Sequence, residues 1–113
     1  MNFMIIKVKD ETKKVMISDI LYIKSHPWKP HYIQIVTKTD IHDCLQQLQN
    51  IEELYPEYFI RCHRSSLVNI SKIKAMNYRE KRIILGEKGE HNITFSRRRY
   101  QDILHQWINK GVM

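Results

Sequence analysis

The amino-acid sequence predicts a mainly β fold, made of layered short antiparallel sheets with one internal helix and a C-terminal helix. Three observations support this prediction. Short runs of apolar and β-branched residues recur along the chain, and most are bounded by polar, glycine or proline turns. Only two segments of the sequence show the apolar spacing of a helix that packs on a core. At 113 residues the chain is long enough to bury a core, so we expect one domain over residues 1–113.

The N-terminal part of the chain predicts short strands separated by polar turns. They are expected at residues 3–8, 15–17, 20–24, 31–36 and 41–42. A charged turn between the first two strands indicates a β-hairpin. In the third strand, Leu21 and Ile23 are expected on one face of the sheet. Apolar residues alternate with them on the other face, which indicates burial on both sides.

Two prolines place a loop between the third and fourth of these strands. Pro27 and Pro30 cannot donate a backbone hydrogen bond to a sheet, and each restricts the preceding residue to extended backbone. Residues 25–30, Ser-His-Pro-Trp-Lys-Pro, are therefore predicted to form a loop.

Residues 45–54 are predicted to form the internal helix. Asp43 and Gln46 have the spacing of a capping box, and Pro56 ends the segment. The apolar residues of the segment recur at helical spacing, as expected for a helix packed on a core. These residues are Leu45, Leu48, Ile51 and Leu54.

A polar tip interrupts two apolar runs in the stretch 59–73, Phe-Ile-Arg-Cys-His-Arg-Ser-Ser-Leu-Val-Asn-Ile-Ser-Lys-Ile. The stretch opens as a strand, exposes four hydrogen-bonding side chains at 63–66, and returns to core-like residues from Leu67 onward. A turn is expected to begin at Ser71. This pattern is typical of a rigid scaffold that presents a functional loop.

The C-terminal part of the chain predicts a β-meander followed by a helix. Strands are expected at 74–78, 82–85 and 92–95, with turns at 79–81 and 86–89 between them. Ser96 is expected to cap the final helix. The core-facing stripe of that helix is predicted to contain Tyr100, Ile103, Leu104, Trp107 and Ile108.

The formal net charge of +7 favours a polyanionic partner, and nucleic acid and anionic lipid both fit that description. The charge is unevenly distributed: residues 61–82 hold seven of the nineteen Lys and Arg but only one of the twelve Asp and Glu. The excess therefore lies on the polar tip and the segment that follows it.

Several classes of function are disfavoured by the sequence. Cys44 and Cys62 form neither a metal motif nor a disulfide framework, and no apolar run reaches the roughly 20 residues of a membrane span. The histidines lack metal-ligand spacing, the carboxylates are scattered, and a phosphate-cradling glycine loop is absent from the sequence. We therefore expect a cytoplasmic protein with free thiols and without an enzyme site, a metal, a cofactor or a small-molecule substrate.

Arg97, Arg98 and Arg99 are predicted to lie in the first turn of the final helix. Cations there oppose the helix dipole at a cost of roughly 0.3 to 1 kcal/mol each. The cluster becomes favourable if an anion such as phosphate binds beside Ser96 and the free backbone N–H groups. The alternative is a solvated basic surface.

Four segments of the chain together resemble the LytTR family, whose domains bind DNA at the C-terminal end of many bacterial response regulators in two-component systems. They are Ile-Ser-Asp-Ile-Leu-Tyr-Ile-Lys-Ser at 17–25, the predicted helix 45–54, the stretch 59–73 and Thr-Phe-Ser-Arg-Arg-Arg at 94–99. The resemblance implies a LytTR-like β sandwich that regulates transcription. It also implies loops inserted in the major groove of duplex DNA, paired protomers on direct-repeat sites, and bending of the DNA.

The resemblance also implies roles for individual residues. Arg64 follows the histidine of the family's polar tip and His31 matches a position in its first loop, so both are expected to contact bases. Arg98 is expected to contact a base as well. The residues expected to contact phosphates are Lys24, Lys29, Lys72, Arg97 and Arg99.

Each assignment has an alternative. Arg64 could form a surface ion pair, and His31 could simply begin a strand. His63 could hold the turn or contact DNA. We expect a structural ion pair for Arg61, a backbone-anchoring role for Asn69, and packing over its own loop for Trp28 rather than stacking against DNA.

Two other functions are compatible with a basic β domain. An RNA or single-strand binder would need aromatic side chains exposed on a sheet face, whereas Tyr22, Phe59, Phe95 and Trp107 lie in apolar patterns. A protein-interaction module would be favoured if the protein selected no duplex from random sequences.

Overall fold

The computed structural model describes residues 2–111 and confirms a mainly β fold. Over that part of the chain, ten strands form three antiparallel sheets, accompanied by two α-helices. The strands are β1 (Phe3–Val8), β2 (Glu11–Met16), β3 (Ile20–Ser25), β4 (Tyr32–Thr37), β5 (Ile41–Leu45), β6 (Phe59–His63), β7 (Ser66–Asn69), β8 (Ile73–Asn77), β9 (Arg82–Leu85) and β10 (His91–Thr94). The helices are α1 (Leu48–Leu54) and α2 (Tyr100–Gly111), and 3-10 turns occupy Ile17–Asp19, Ile70–Lys72 and Arg97–Arg99.

A five-stranded sheet with the strand order β5-β4-β3-β7-β6 forms the middle layer of the fold. One of its faces packs against the β1–β2 hairpin and α1, around a first core that includes Ile23 and Phe59. The other face packs against the three-stranded sheet β10-β9-β8 and α2, around a second core that includes Val68 and Leu85. Because close-packed side chains cover both faces, the central sheet is a rigid base for the loops at its ends.

The strand β3 contains an irregularity that the alternating sequence did not predict. Its pairing with β4 shifts register between Ile20 and Tyr22. Ile20 and Ile23 both enter the first core as a result, whereas Leu21 enters the second. The expectation that Leu21 and Ile23 share a face was therefore wrong, because a shift in register breaks the two-residue period of the side chains. Burial on both faces of the strand is confirmed.

The β1–β2 hairpin is tighter than the sequence predicted. Val8 pairs with Glu11, so the second strand begins at Glu11 and not at residue 15. The turn holds just Lys9 and Asp10, and Lys9 adopts the positive φ of 57° that lets so short a turn reverse the chain.

The helix α1 begins at Leu48, later than predicted, and the capping box was wrong. Asp43 and Leu45 belong to the edge strand β5, where Leu45 pairs with Tyr32 of β4. Gln47 occupies the N-cap position without a side-chain hydrogen bond. All of residues 41–45 pair with β4 on one side, and this pairing outweighs the local preference for a helix. Leu48 and Ile51 are buried, as predicted.

The final helix also starts later than predicted. Arg97–Arg99 form a 3-10 turn, α2 follows from Tyr100, and the Ser96 side chain makes no capping hydrogen bond. Of the predicted stripe, Ile103 is fully buried, while Ile108 is 52% exposed. No helix within residues 2–111 combines the length and the apolar character needed to cross a membrane.

Asn69 anchors the backbone, as its position between apolar residues predicted. The side chain is buried, and its amide donates to the carbonyl oxygens of Ile17 at 3.0 Å and of Ile20 at 2.8 Å. Its oxygen accepts hydrogen bonds from the backbone N–H and the hydroxyl of Ser71. One side chain therefore fixes the start of β3 and the turn after β7.

Both cysteines, Cys44 and Cys62, are free and buried, which confirms the expected free thiols. Burial raises the pKa of Cys62 to about 12, despite the opposing charges of Arg99 and Arg61. Burial also raises the pKa of Cys44. A thiol that stays protonated is a poor nucleophile, so neither side chain is suited to catalysis.

The contrast between Asn69 and Ser96 leads to a test of stability. Asn69→Ala removes the hydrogen bonds to the carbonyl oxygens of Ile17 and Ile20 and those from Ser71, and should lower the free energy of unfolding by about 2 to 4 kcal/mol. Ser96→Ala should change it by less than about 0.5 kcal/mol, whereas a true N-cap would lose about 1 kcal/mol. Urea unfolding of the three proteins measures both effects. A clear loss in Ser96→Ala would show that the hydroxyl does cap the helix.

Candidate nucleic-acid interface

Three loops meet at one end of the central sheet. The backbone N–H of Ser25, in the β3–β4 connection, donates to the carbonyl oxygen of Ser65, in the β6–β7 tip, at 3.0 Å. The N–H of Ser96, which precedes the 3-10 turn, donates to the carbonyl oxygen of Cys62 at 2.9 Å. The β3–β4 loop, the β6–β7 tip and the 3-10 turn therefore lie side by side in this order. We call this surface, formed by residues 25–31, 63–66 and 96–99, the three-loop edge.

The first loop is built around His26, whose side chain is only 1% exposed. Its Nδ1 accepts hydrogen bonds from the backbone N–H groups of Trp28 at 3.2 Å and of Lys29 at 3.0 Å. The other ring nitrogen, Nε2, lies 3.3 Å from Oδ2 of Asp43 on β5. Because Nδ1 accepts, the ring proton is on Nε2 and is donated to the carboxylate. The ring thus holds the loop backbone closed.

The Asp43 carboxylate contacts three polar side chains of this loop and the sheet, namely His26, Lys29 and Gln34. The carboxylate accepts a hydrogen bond from the Gln34 side chain at 3.2 Å and lies 3.5 Å from the Lys29 ammonium. Burial raises the pKa of Asp43, but the Gln34 hydrogen bond and the neighbouring His26 and Lys29 outweigh this, so that the pKa lies below its usual 3.8. The carboxylate therefore remains ionised and keeps the loop attached to the sheet.

His31 ends the first loop and does not begin a strand. It is exposed and adopts a left-handed backbone with φ of 66°, and β4 starts at the next residue. The conformation is unfavourable for a residue with a Cβ by about 1 kcal/mol. It is held because the His31 carbonyl oxygen accepts from the N–H of Gln46 at 3.1 Å. The backbone of His31 is consequently held at the end of the first loop, and the imidazole is exposed there.

The β6–β7 tip is organised by the expected ion pair of Arg61. Its guanidinium donates to Oε1 of Glu52 through Nε at 3.2 Å and Nη2 at 3.0 Å. The remaining nitrogen, Nη1, donates to the carbonyl oxygen of Arg64 at 2.6 Å. Arg64 itself is exposed and forms no ion pair with any residue in 2–111. One arginine thus positions the backbone of the other, and the Arg64 guanidinium is left available.

His63 contributes to the shape of the same tip. Its Nδ1 lies 3.1 Å from the Ser65 hydroxyl, and the Ser65 N–H donates to it at 3.4 Å. These bonds correspond to the turn-holding role that the sequence left open beside a DNA contact.

The 3-10 turn presents its arginines unequally. Arg97 and Arg98 are exposed, whereas Arg99 is half-buried near Cys62. Within residues 2–111, the buried Ser96 Oγ and Arg99 Nε have no hydrogen-bond partner. Unpaired buried polar atoms are costly, and here they lie directly beside two exposed cations. The turn is polar and positively charged, and its arginines form no salt bridge with the residues that the structure describes.

Among the lysines predicted to contact phosphate, the structure brings two to this end of the sheet. Lys24 pairs in register with Ser66 on one side and Gln34 on the other, which places it beside the tip. Lys29 lies in the first loop, with its ammonium shared between Asp43 and the ring of Tyr32.

Lys72 lies elsewhere. It belongs to the turn Ile70–Lys72 after β7, at the opposite end of that strand from Ser66. There it lines a concave surface with other lysines that the sequence did not single out, namely Lys38, Lys74 and Lys88. Lys72 follows the tip closely in the sequence. Because β7 runs from the tip to the other end of the strand, Lys72 lies away from the three-loop edge.

The His26–Asp43 pair was missed by sequence reasoning. The two residues are separated by 17 positions and belong to a loop and an edge strand. Asp43 was assigned to a helix cap, so no signal pointed to its contact with the loop. No group of three or more His, Cys, Asp or Glu side chains within residues 2–111 is arranged to hold a metal ion.

Comparisons with known proteins agree with the mainly β fold. The family model described as the LytTr DNA-binding domain matches residues 10–108. Among solved structures, the chain is similar to the LytTr DNA-binding domain of a Bacillus cereus protein described as a methyl-accepting/DNA response regulator. That match has a TM-score of 0.71 and 24% identity, and it covers 92% of this chain and 97% of the other. A search of curated proteins found no match.

The lowered pKa of Asp43 predicts how the loop responds to acid. A carboxyl whose pKa is lower in the folded protein stabilises the fold above its usual pKa of 3.8, and this stabilisation is lost as the pH falls through the folded value. Asp43→Asn should therefore be less stable than wild type at about pH 7, and the difference should shrink below about pH 4. Urea midpoints across this range measure it.

Asp10→Asn is the matched control. Asp10 is exposed in the β1–β2 turn and makes no side-chain hydrogen bond within residues 2–111, so this variant should follow the wild-type profile. A constant difference between wild type and Asp43→Asn at every pH would contradict the stabilising role of the carboxylate.

Proposed function

The chain belongs to the LytTR family of DNA-binding domains, and on this premise we propose that it recognises specific duplex sequences through its three-loop edge and thereby regulates transcription. The loops enter the major groove, and residues 1–113 act as one domain. The observation that carries the proposal is the alignment of three loops by two backbone hydrogen bonds, with an exposed basic or imidazole side chain on each.

The proposed contacts divide into those that read bases and those that hold phosphates. His31, Arg64 and Arg98 each lie on a different loop and are exposed, and we assign them to base edges. An arginine fork bonded to O6 and N7 of guanine is the commonest specific contact in the major groove. The phosphate contacts are assigned to Lys24, Lys29, Arg97 and Arg99.

To contact a phosphate, the Lys29 ammonium must leave the Asp43 carboxylate. Its ammonium lies 3.5 Å from the Asp43 carboxylate, and its side chain is 48% exposed. A surface ion pair of this kind contributes about 0 to 1 kcal/mol, so replacing the carboxylate by a phosphate costs little. Asp43 retains its hydrogen bonds from His26 and Gln34 after the exchange.

Lys72 was expected to contact phosphate, but its position favours a different assignment. We place it outside the direct interface because β7 separates it from the three-loop edge. Its charge contributes to the long-range attraction of DNA. This makes Lys72 a useful control, since its removal alters the net charge without altering the edge.

We also propose that protomers bind in pairs on direct repeats and bend the DNA. The protein measures 41 × 32 × 27 Å, and its two shorter dimensions are below the 34 to 36 Å of one turn of B-DNA. Two protomers on the same side of the duplex therefore fit repeats whose centres lie about one helical turn, or a small multiple of it, apart.

A random-site selection followed by Arg64→Ala tests the specificity of the tip. The purified protein should select a defined duplex sequence, and the variant should bind that sequence about 1 to 3 kcal/mol more weakly and lose its preference at one base pair. Equal weakening on every sequence would show that Arg64 holds a phosphate and reads no base. Selection of no duplex at all would contradict the proposed function and favour a protein partner.

The salt dependence of binding tests the proposed phosphate contacts. Arg97→Ala should reduce the slope of log K against log salt by about one, because one fewer counterion is released. Lys72→Ala carries the same charge change at the other end of β7 and should leave the slope nearly unchanged. A reduced slope in both variants, measured by fluorescence anisotropy, would show that DNA also contacts the far end of the sheet.

A further inference from the structure

Trp28 is the most exposed large hydrophobic side chain that the structure describes, at 77%. It lies at the tip of the first loop, between Pro27 and Pro30, and is flanked by Lys29 and, beyond the second proline, His31. The indole contacts its own loop, as expected, but most of its surface remains exposed. That contact is with the ring of His26, at 4.8 Å between centroids and an interplanar angle of 88°.

The backbone that carries the indole is fixed even though the surface of the ring is free. The backbone N–H of Trp28 donates to Nδ1 of His26, and the His26 ring is anchored in turn to Asp43. Pro27 fixes the backbone on the N-terminal side of Trp28. A loop backbone held in this way loses little conformational entropy when the indole meets a partner, which favours a preorganised contact.

The side chains around Trp28 indicate which group of the DNA it contacts. The exposed side chains of the three-loop edge are otherwise polar or proline, and those proposed to read bases are His31, Arg64 and Arg98. Polar side chains recognise the donors and acceptors of the major groove. The C5-methyl group of thymine offers neither, and apolar side chains recognise it by contact.

We propose that Trp28 is a specificity-determining residue that recognises thymine through contact of the indole with the C5-methyl group in the major groove. The proposal rests on the DNA-binding function proposed above and adds a base preference to the first loop. Insertion of the ring between base pairs fits the structure less well, because the His26 contact fixes one side of the indole at the protein surface.

Replacement of thymine by uracil tests the contact, since uracil lacks only the methyl group. On the selected duplex, each thymine is replaced in turn and the dissociation constant is measured. Wild type should lose about fourfold in affinity at one or two positions, which corresponds to the burial of one methyl group. Trp28→Ala should bind the thymine duplex about tenfold more weakly and should not respond to uracil at those positions.

Leu54→Ala is the control variant. Leu54 is 65% exposed at the end of α1, outside the three-loop edge, so its removal should change neither the affinity nor the response to uracil. Trp28→Phe keeps an apolar ring and should retain part of the response. Thermal unfolding of the variants confirms that each is folded, as expected for exposed positions.

The outcomes distinguish this proposal from the one on which it rests. If Trp28→Ala binds as tightly as wild type, or responds to uracil as wild type does, the thymine contact is overturned while DNA binding stands. Unstacking reported by 2-aminopurine fluorescence beside the contacted thymine would overturn it in favour of a wedge. If wild type binds no duplex, the proposed function fails first and the thymine contact fails with it.

Discussion

Two backbone hydrogen bonds, from Ser25 to Ser65 and from Ser96 to Cys62, hold together the three loops whose side chains are proposed to contact DNA. The segments that they join are far apart in the sequence, and each would otherwise be an independent surface loop. Because the bonds continue the hydrogen-bonding of a sheet buried on both faces, the loops share the rigidity of the core. Side chains on three separate connections therefore act as one surface.

The charged side chains divide into those that hold the structure together and those that are free to bind a partner. The guanidinium that holds the tip is paired, through the bonds between Arg61 and Glu52. Arg64 and Arg98 remain exposed without a carboxylate partner within residues 2–111. Paired charges fix the loop backbones, and the unpaired charges are available to a polyanion.

The candidate site was predictable from the sequence where the interaction is local or where the environment of a residue is evident from its neighbours. Asn69 lies between Val68 and Ile70, and a buried amide between apolar residues must bond to backbone. His26 was not predictable in this way, because its partner Asp43 reaches it through the pairing of β5 with β4. The exposure of a side chain also depends on residues distant in sequence, so only the structure showed that the Trp28 indole is exposed.

The sequence by itself determined the fold class, the order of most elements and the loop that Pro27 and Pro30 enforce, because periodicity and turn chemistry act between near neighbours. Tertiary structure decided that residues 41–45 are a strand, that Leu21 leaves the first core, and that Lys72 lies away from the three-loop edge. Each of these outcomes depends on strand register or on the direction of a strand. Register and direction arise from hydrogen bonds between residues distant in sequence, which no local pattern encodes.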